Sequence, residues 1–323
     1  MNKITTIVAA ALALGAVYVF GDWVYEGQWG SVGGGDGQFR RPSGISVAPS
    51  GRVYVDDLAN SRIQYFGPKG AFQGKWGSHG SGYGQFNQAR DVAVAVGRHV
   101  YVADTLNYRV QHFDATGSLY NIWGSQGSGE SEFERAVGVA ASPDGDRVYV
   151  TDQAVYRVQY FNRWGLYLGQ WGTFGSGNGQ FVGPTGIAVA PNGDVYVADT
   201  GNHRIQYFNS SGSFLGKWGS YGTGDGQFIL PRDVAVAPNG DVYAADGGNY
   251  RIQYFTASGS FLGKWGSRGS GEGQFEQPFN LAVNPTGDRV YVADYEYHWI
   301  QYFKWVNVSL TPASLGRVKA LFR

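Results

Sequence analysis

The chain has 323 residues, in which 25 Lys plus Arg balance 25 Asp plus Glu, so no whole-molecule field draws it to nucleic acid or to an anionic membrane. It has no cysteine, which excludes disulfides, thiolate zinc sites and a cysteine nucleophile and leaves packing and ring closure to stabilise the fold. Its 51 glycines lie among 43% hydrophobic residues and recur at fixed places, which is turn chemistry rather than disorder.

The N-terminus carries Lys3 and then an apolar run over residues 4–20. Residues 1–21 are expected to be a secretory signal cleaved before Asp22, or an uncleaved N-terminal anchor, and either places the protein outside the cytoplasm, whether secreted, periplasmic or on the cell surface. From Trp23 to Phe303 the chain is then built from near-copies of one segment. Trp-Gly recurs at Trp29, Trp76, Trp123, Trp171, Trp218 and Trp265, at spacings of 47 or 48 residues. A period of that size marks a repeat architecture, because one supersecondary unit cannot bury its own faces and must stack on its neighbours.

The copy running from Gly179 to Gly219 predicts four short strands, over 186–190, 194–198, 204–208 and 213–218, joined by compact turns at Pro191-Asn192-Gly193 and Ser210-Ser211-Gly212. Each copy is thus a four-stranded antiparallel meander, and six of them set radially make an all-β, six-bladed β-propeller. The first strand alternates branched residues (Ile45, Val92, Val139, Ile187, Val234, Leu281) with small ones (Ser46, Ala93, Ala140, Ala188, Ala235, Ala282), as a strand crowded near the axis requires. The Trp-Gly strand is then outermost. No Trp-Gly follows the last copy, so the N-terminal strand over 23–29 is expected to close the last blade from outside and cover two sheet edges. This divides the chain into residues 1–21, a propeller over 22–305 and a C-terminal tail over 306–323, in which Thr311-Pro312 could start a short helix.

The recurring GQF, P-x-G-I-A-V and G-D-V-Y-V-A-D-T-G-N-H-R-I-Q-Y-F, with Asn202-His203-Arg204 and its counterparts Asn60-Ser61-Arg62, Asn107-Tyr108-Arg109 and Asn249-Tyr250-Arg251, resemble the NHL repeat. The resemblance spans all six copies. It implies a six-bladed propeller, a fold shared by extracellular lyases and hydrolases, RNA-binding animal proteins and exported bacterial binding scaffolds, so it does not choose a function. A charge repeated in every blade, such as Asp57 and Arg62 with their counterparts, is read as a turn or inter-blade ion pair rather than as a set of active sites.

Candidate function is therefore sought where the copies disagree. At the start of the inner strand the paired positions are Ser43-Gly44, Arg90-Asp91, Val137-Gly138, Thr185-Gly186, Arg232-Asp233 and Phe279-Asn280. The two Arg-Asp pairs fall in opposite blades and are expected to rim one mouth of the central channel. In the last blade Tyr295, Glu296, Tyr297, His298 and Trp299 replace the Thr-Gly-Asn-His-Arg pattern, next to Phe279 and Asn280. Aromatic faces with a carboxylate and an amide suit a sugar or peptide, whereas different packing in a closing blade is the plainer reading.

Five histidines, His79, His99, His112, His203 and His298, are too dispersed for a zinc site, which needs about three protein ligands. Calcium at the mouth, through Asp91, Asp233, Asn280 and Glu296, suits oxygen donors. The leading expectation is a non-catalytic, exported, monomeric scaffold that binds a protein, peptide or glycan at the channel mouth, with no cofactor, no nucleic acid and no membrane contact beyond an N-terminal anchor. The alternative is a metal-dependent lyase or hydrolase with its site at the same mouth.

Overall fold

A computed structural model of the chain describes residues 18–310. The predicted signal or anchor lies outside the described residues except for 18–21, and the candidate tail helix lies wholly outside them. Among the described residues no helix is long and apolar enough to cross a membrane. The architecture is six four-stranded antiparallel sheets in a ring. Blade four is representative: Pro184–Val189, Val195–Asp199, Arg204–Phe208 and Phe214–Trp218 pair in sequence order. These bounds lie within two residues of the predicted ones.

Hydrophobic clusters form between blades, as a repeat that cannot cover its own faces requires. At the junction of blades six and one, Ala282, Tyr291 and Ala293 of one sheet pack on Ile45, Val53 and Val55 of the next. The small residues of the inner strand face one neighbour and the branched residues the other, which is why the two alternate in the sequence. Farther out, the outer-strand tryptophans Trp29, Trp76, Trp123, Trp171 and Trp218 each lie against the last hairpin turn of the following blade. Gly70 has φ +84°, and a Cβ there would sit 2.6 Å from the Trp29 ring, so both the turn and the contact demand glycine.

Blade six closes the ring with both ends of the described chain. Its sheet runs Pro278–Val283, Arg289–Asp294, Trp299–Leu310 and then the N-terminal Tyr18–Trp29. The closing pair is longer than predicted, with Trp23 opposite Trp305 and the register continuing to Tyr18 opposite Leu310. Instead of a hairpin glycine, Trp23 stacks on Trp265 of blade five, with ring centroids 5.6 Å apart. Glu26 on the closing strand takes Arg289 of its own blade at 2.7 Å and Lys69 of blade one at 3.2 Å.

The repeated Asp and Arg pair within a blade, not between blades. Arg204 Nε donates to Asp199 Oδ2 at 2.7 Å, and both side chains are buried. The rest of the guanidinium donates to the carbonyls of Ser176, Gly177 and Gln180, while Gln206 donates to Gln180 and Asp199. The ion pair thereby pins the glycine-rich connection that arrives from the preceding blade and satisfies carbonyls that no strand reaches. Equivalent pairs join Arg62 to Asp57, Arg109 to Asp104 and Arg251 to Asp246.

Candidate ligand site at the channel mouth

The inner strands line a channel of about 230 Å³, and Asp91, Asp233 and Asn280 stand at one end of it. Each reaches a backbone N–H of the next inner strand: Val139 N donates to Asp91 Oδ2 at 2.9 Å, Leu281 N to Asp233 Oδ2 at 3.0 Å and Ile45 N to Asn280 Oδ1 at 2.9 Å. Asn280 Nδ2 also donates to Asp91 Oδ1 at 3.3 Å. These three side chains stitch the ring together near its axis. Glycine in the preceding blade makes room for the two aspartates, since a Cβ on Gly44 would lie 2.6 Å from the Asp91 Cα and one on Gly186 2.4 Å from the Asp233 Cα. Burial, and next the Asp233 carboxylate, raise Asp91 well above the usual carboxylate range, and burial raises Asp233 as well.

The arginines of the same pairs behave differently. Arg90 and Arg232 are half-buried at the mouth, beyond the end of the channel that their aspartates occupy. Arg232 lies over the Phe279 ring at 5.8 Å, Phe279 stacks on Tyr295 at 5.0 Å, and Arg41 lies over Tyr295 at 5.4 Å. Residues from blades five, six and one therefore form one continuous ladder. Arg90, from blade two, feels the charges of Arg135 and Arg232, and burial followed by Arg135 lowers its pKa. Burial also lowers that of Arg232.

The remaining residues of the last-blade loop do not join this cluster. His298 Nδ1 accepts from Arg41 N at 3.0 Å, a bracing contact that His203 repeats with Leu230 N at 3.1 Å. Tyr297 packs on Trp299 at 4.8 Å, Trp299 opens the third strand opposite Asp294, and Glu296 is exposed. Glu296 thus stands apart from the three channel residues grouped with it as calcium donors. Among the described residues no group of three His, Cys, Asp or Glu side chains is placed to hold a metal ion.

Sequence reasoning passed over Asp56. It is fully buried in blade one, facing blade two, in a column that holds Ala103, Thr151, Ala198, Ala245 and Ala293 elsewhere. Ser43 Oγ donates to its Oδ2 at 2.8 Å, whereas Oδ1 has no partner, and burial raises its pKa well above the usual range. A lone acid in an alanine-rich column was the available signal. The adjacent Asp57, a member of the repeated acidic set, masked it.

The family model of the NHL repeat matches residues 39–66, 86–113, 181–208 and 228–255, the four copies that carry Asn-x-Arg. No curated protein matches the chain. Among solved structures, it is similar to a structural-genomics protein of unknown function from Bacteroides thetaiotaomicron, at 16% identity and TM-score 0.66 over 90% of this chain and 77% of that one. A gluconolactonase from Xanthomonas campestris aligns at 15% identity and TM-score 0.64 over 92% and 93%. The β-propeller domain of Cps50 (Swd1) from Myceliophteria thermophila aligns at 10% identity and TM-score 0.57 over 88% and 99%. Identities this low speak for the fold alone.

Proposed function

Because this chain is an NHL-repeat six-bladed β-propeller, we propose that it is a binding scaffold, exported and non-catalytic, which seats its ligand on the face bearing Arg90, Arg232, Phe279 and Tyr295. One observation carries the reading: where the copies diverge, their polar groups split into two sets. Asp91, Asp233 and Asn280 are engaged in joining inner strands, which leaves them poor candidates for a base or nucleophile. Arg90, Arg232 and Tyr295 have no such duty and face the mouth. A rigid ring that presents a few convergent polar groups beside aromatic rings suits recognition.

The ligand class is a glycan, a peptide or a protein segment. A glycan and peptide array probed with the intact protein, and in parallel with Tyr295→Ala, tests this. The expected outcome is at least one retained ligand that the variant loses about tenfold or more, with a melting temperature close to wild type. The metal-dependent lyase or hydrolase reading would replace it if the purified protein carried stoichiometric divalent metal that Asp91→Ala and Asp233→Ala release, together with turnover of a lactone or ester.

A further inference from the structure

Five arginines in this molecule are deeply placed and each has a carboxylate and carbonyl oxygens around its guanidinium, with Arg157 Nε the one N–H among them that lacks an acceptor. Arg62, Arg109, Arg204 and Arg251 each have a carboxylate within 2.8 Å and carbonyl oxygens for the remaining N–H groups, and Arg157 donates to three carbonyls and to Gln170. Arg90 and Arg232 break that rule. Neither guanidinium has a carboxylate within ion-pair reach or a side-chain hydrogen bond among the described residues, and Arg90 Nε is a buried donor with no acceptor. Partly desolvated cations are costly unless an anion meets them, and a native fold retains such groups where a partner returns the cost.

The surroundings add to this. Arg41 and Arg135 are exposed on the same rim, so four guanidinium groups ring the mouth. Arg232 rests over Phe279 at 5.8 Å, and the ladder behind it continues through Tyr295 to Arg41. A guanidinium set against a ring face keeps its N–H edge available for a two-point contact with a carboxylate. Asp91 and Asp233 lie beneath, and the burial that raises their pKa values leaves the arginines without a close counter-charge from below.

We infer that Arg90 and Arg232 grip the carboxylate of an acidic sugar at the channel mouth, which deepens the binding reading above and rests on it. The sugar frame follows from what borders the arginines. The Phe279 and Tyr295 rings are already engaged with each other and each with a guanidinium, so they favour a polar frame over an aliphatic or aromatic acid. The Tyr295 side chain, Arg135 and Arg41 are polar neighbours suited to ring hydroxyls.

Calorimetric titration of the intact protein with D-glucuronate, its neutral isostere D-glucuronamide and inorganic phosphate tests the inference. Glucuronate is expected to bind at least tenfold more tightly than the amide, to weaken with added NaCl, and to lose about a hundredfold in the double variant Arg90→Met, Arg232→Met. Arg90→Lys with Arg232→Lys, which keeps the charge but not the planar fork, stands in if the methionine pair does not fold, with a smaller loss expected. Equal binding of acid and amide overturns the anion assignment, and phosphate binding without glucuronate binding overturns the carboxylate. If no acid binds while an array ligand is still lost in Tyr295→Ala, this inference falls and the binding function stands; if the array also yields nothing at the mouth, both fall.

Discussion

Blades four and six have the same sheet and the same buried aspartate, but they satisfy it in different ways. In blade four Asp199 is held by Arg204, whose remaining N–H groups anchor the incoming connection. In blade six the partner position is Trp299, and Asp294 instead accepts four backbone N–H groups, from Glu276, Gln277, Glu296 and Tyr297. The aspartate is therefore the constant of the repeat and the arginine is one of two ways to meet it. Blade six is relieved of the arginine because its own loop and the incoming connection wrap the carboxylate with backbone N–H groups.

The largest expected effect comes from removing that outer strand. A chain beginning at Gly30 exposes the edge of Trp299–Leu310 and uncovers Trp265, so it is expected to aggregate or to lose its cooperative thermal transition in calorimetry. An unchanged transition would show that blade six closes by other means. Next comes a reciprocal exchange. Arg204→Trp leaves a buried carboxylate without its cation and is expected to cost about 3 kcal/mol or more in urea unfolding. Trp299→Arg returns the repeat's own pair to a carboxylate that is already satisfied and is expected to change stability by roughly 1 kcal/mol or less. Equal costs for the two would mean that the blades are not distinguished in this way.

A pH-dependent effect sharpens the comparison at a third place. His112 occupies a column held elsewhere by Tyr65, Tyr160, Tyr207, Tyr254 and Tyr302, and its Nε2 lies 2.8 Å from His99 Nδ1. Burial, and next His99, lower the His112 pKa from 6.5 to about 4. A base whose folded pKa is depressed stays neutral in the fold while the unfolded chain takes up a proton, so stability present above pH 6.5 is lost as pH falls toward 4. The His112 contribution should fall by roughly 2 kcal/mol between pH 7 and pH 5. It is read as the difference in pH slope of the melting temperature between the wild type and His112→Tyr, because the buried Asp56, Asp91 and Asp233, whose pKa values are raised, act in the opposite direction over that range in both. His112→Tyr should therefore lose less stability, or gain more, than the wild type on going from about pH 7 to about pH 5, and identical slopes for the two would place the titration elsewhere.

Much of the molecule was legible in the sequence because its copies check one another. The Trp-Gly period, the alternation of Ile45 with Ser46 along the inner strand and the missing final Trp-Gly were enough for the blade count, the strand order and the closure. Candidate site positions were located by the same comparison, since Arg90, Arg232, Phe279 and Tyr295 all depart from it. Their division of labour was not legible. Asp91 and Arg90 are neighbours in sequence and equally unusual, yet one joins adjacent inner strands and the other is left without a counter-ion.

Sequence alone determined the repeating parts of this protein, because strand period, turn residues and face alternation are local and were written several times over. The tertiary structure decided which charges are spent and which are free. That depends on distances between residues far apart in the chain: Asp91 to Val139 and Asn280, Arg232 to Phe279, and Arg41 to Tyr295. Ring closure brings the first and last blades within contact distance at the axis. An arginine's lack of a partner becomes a fact only once every neighbouring blade is in place.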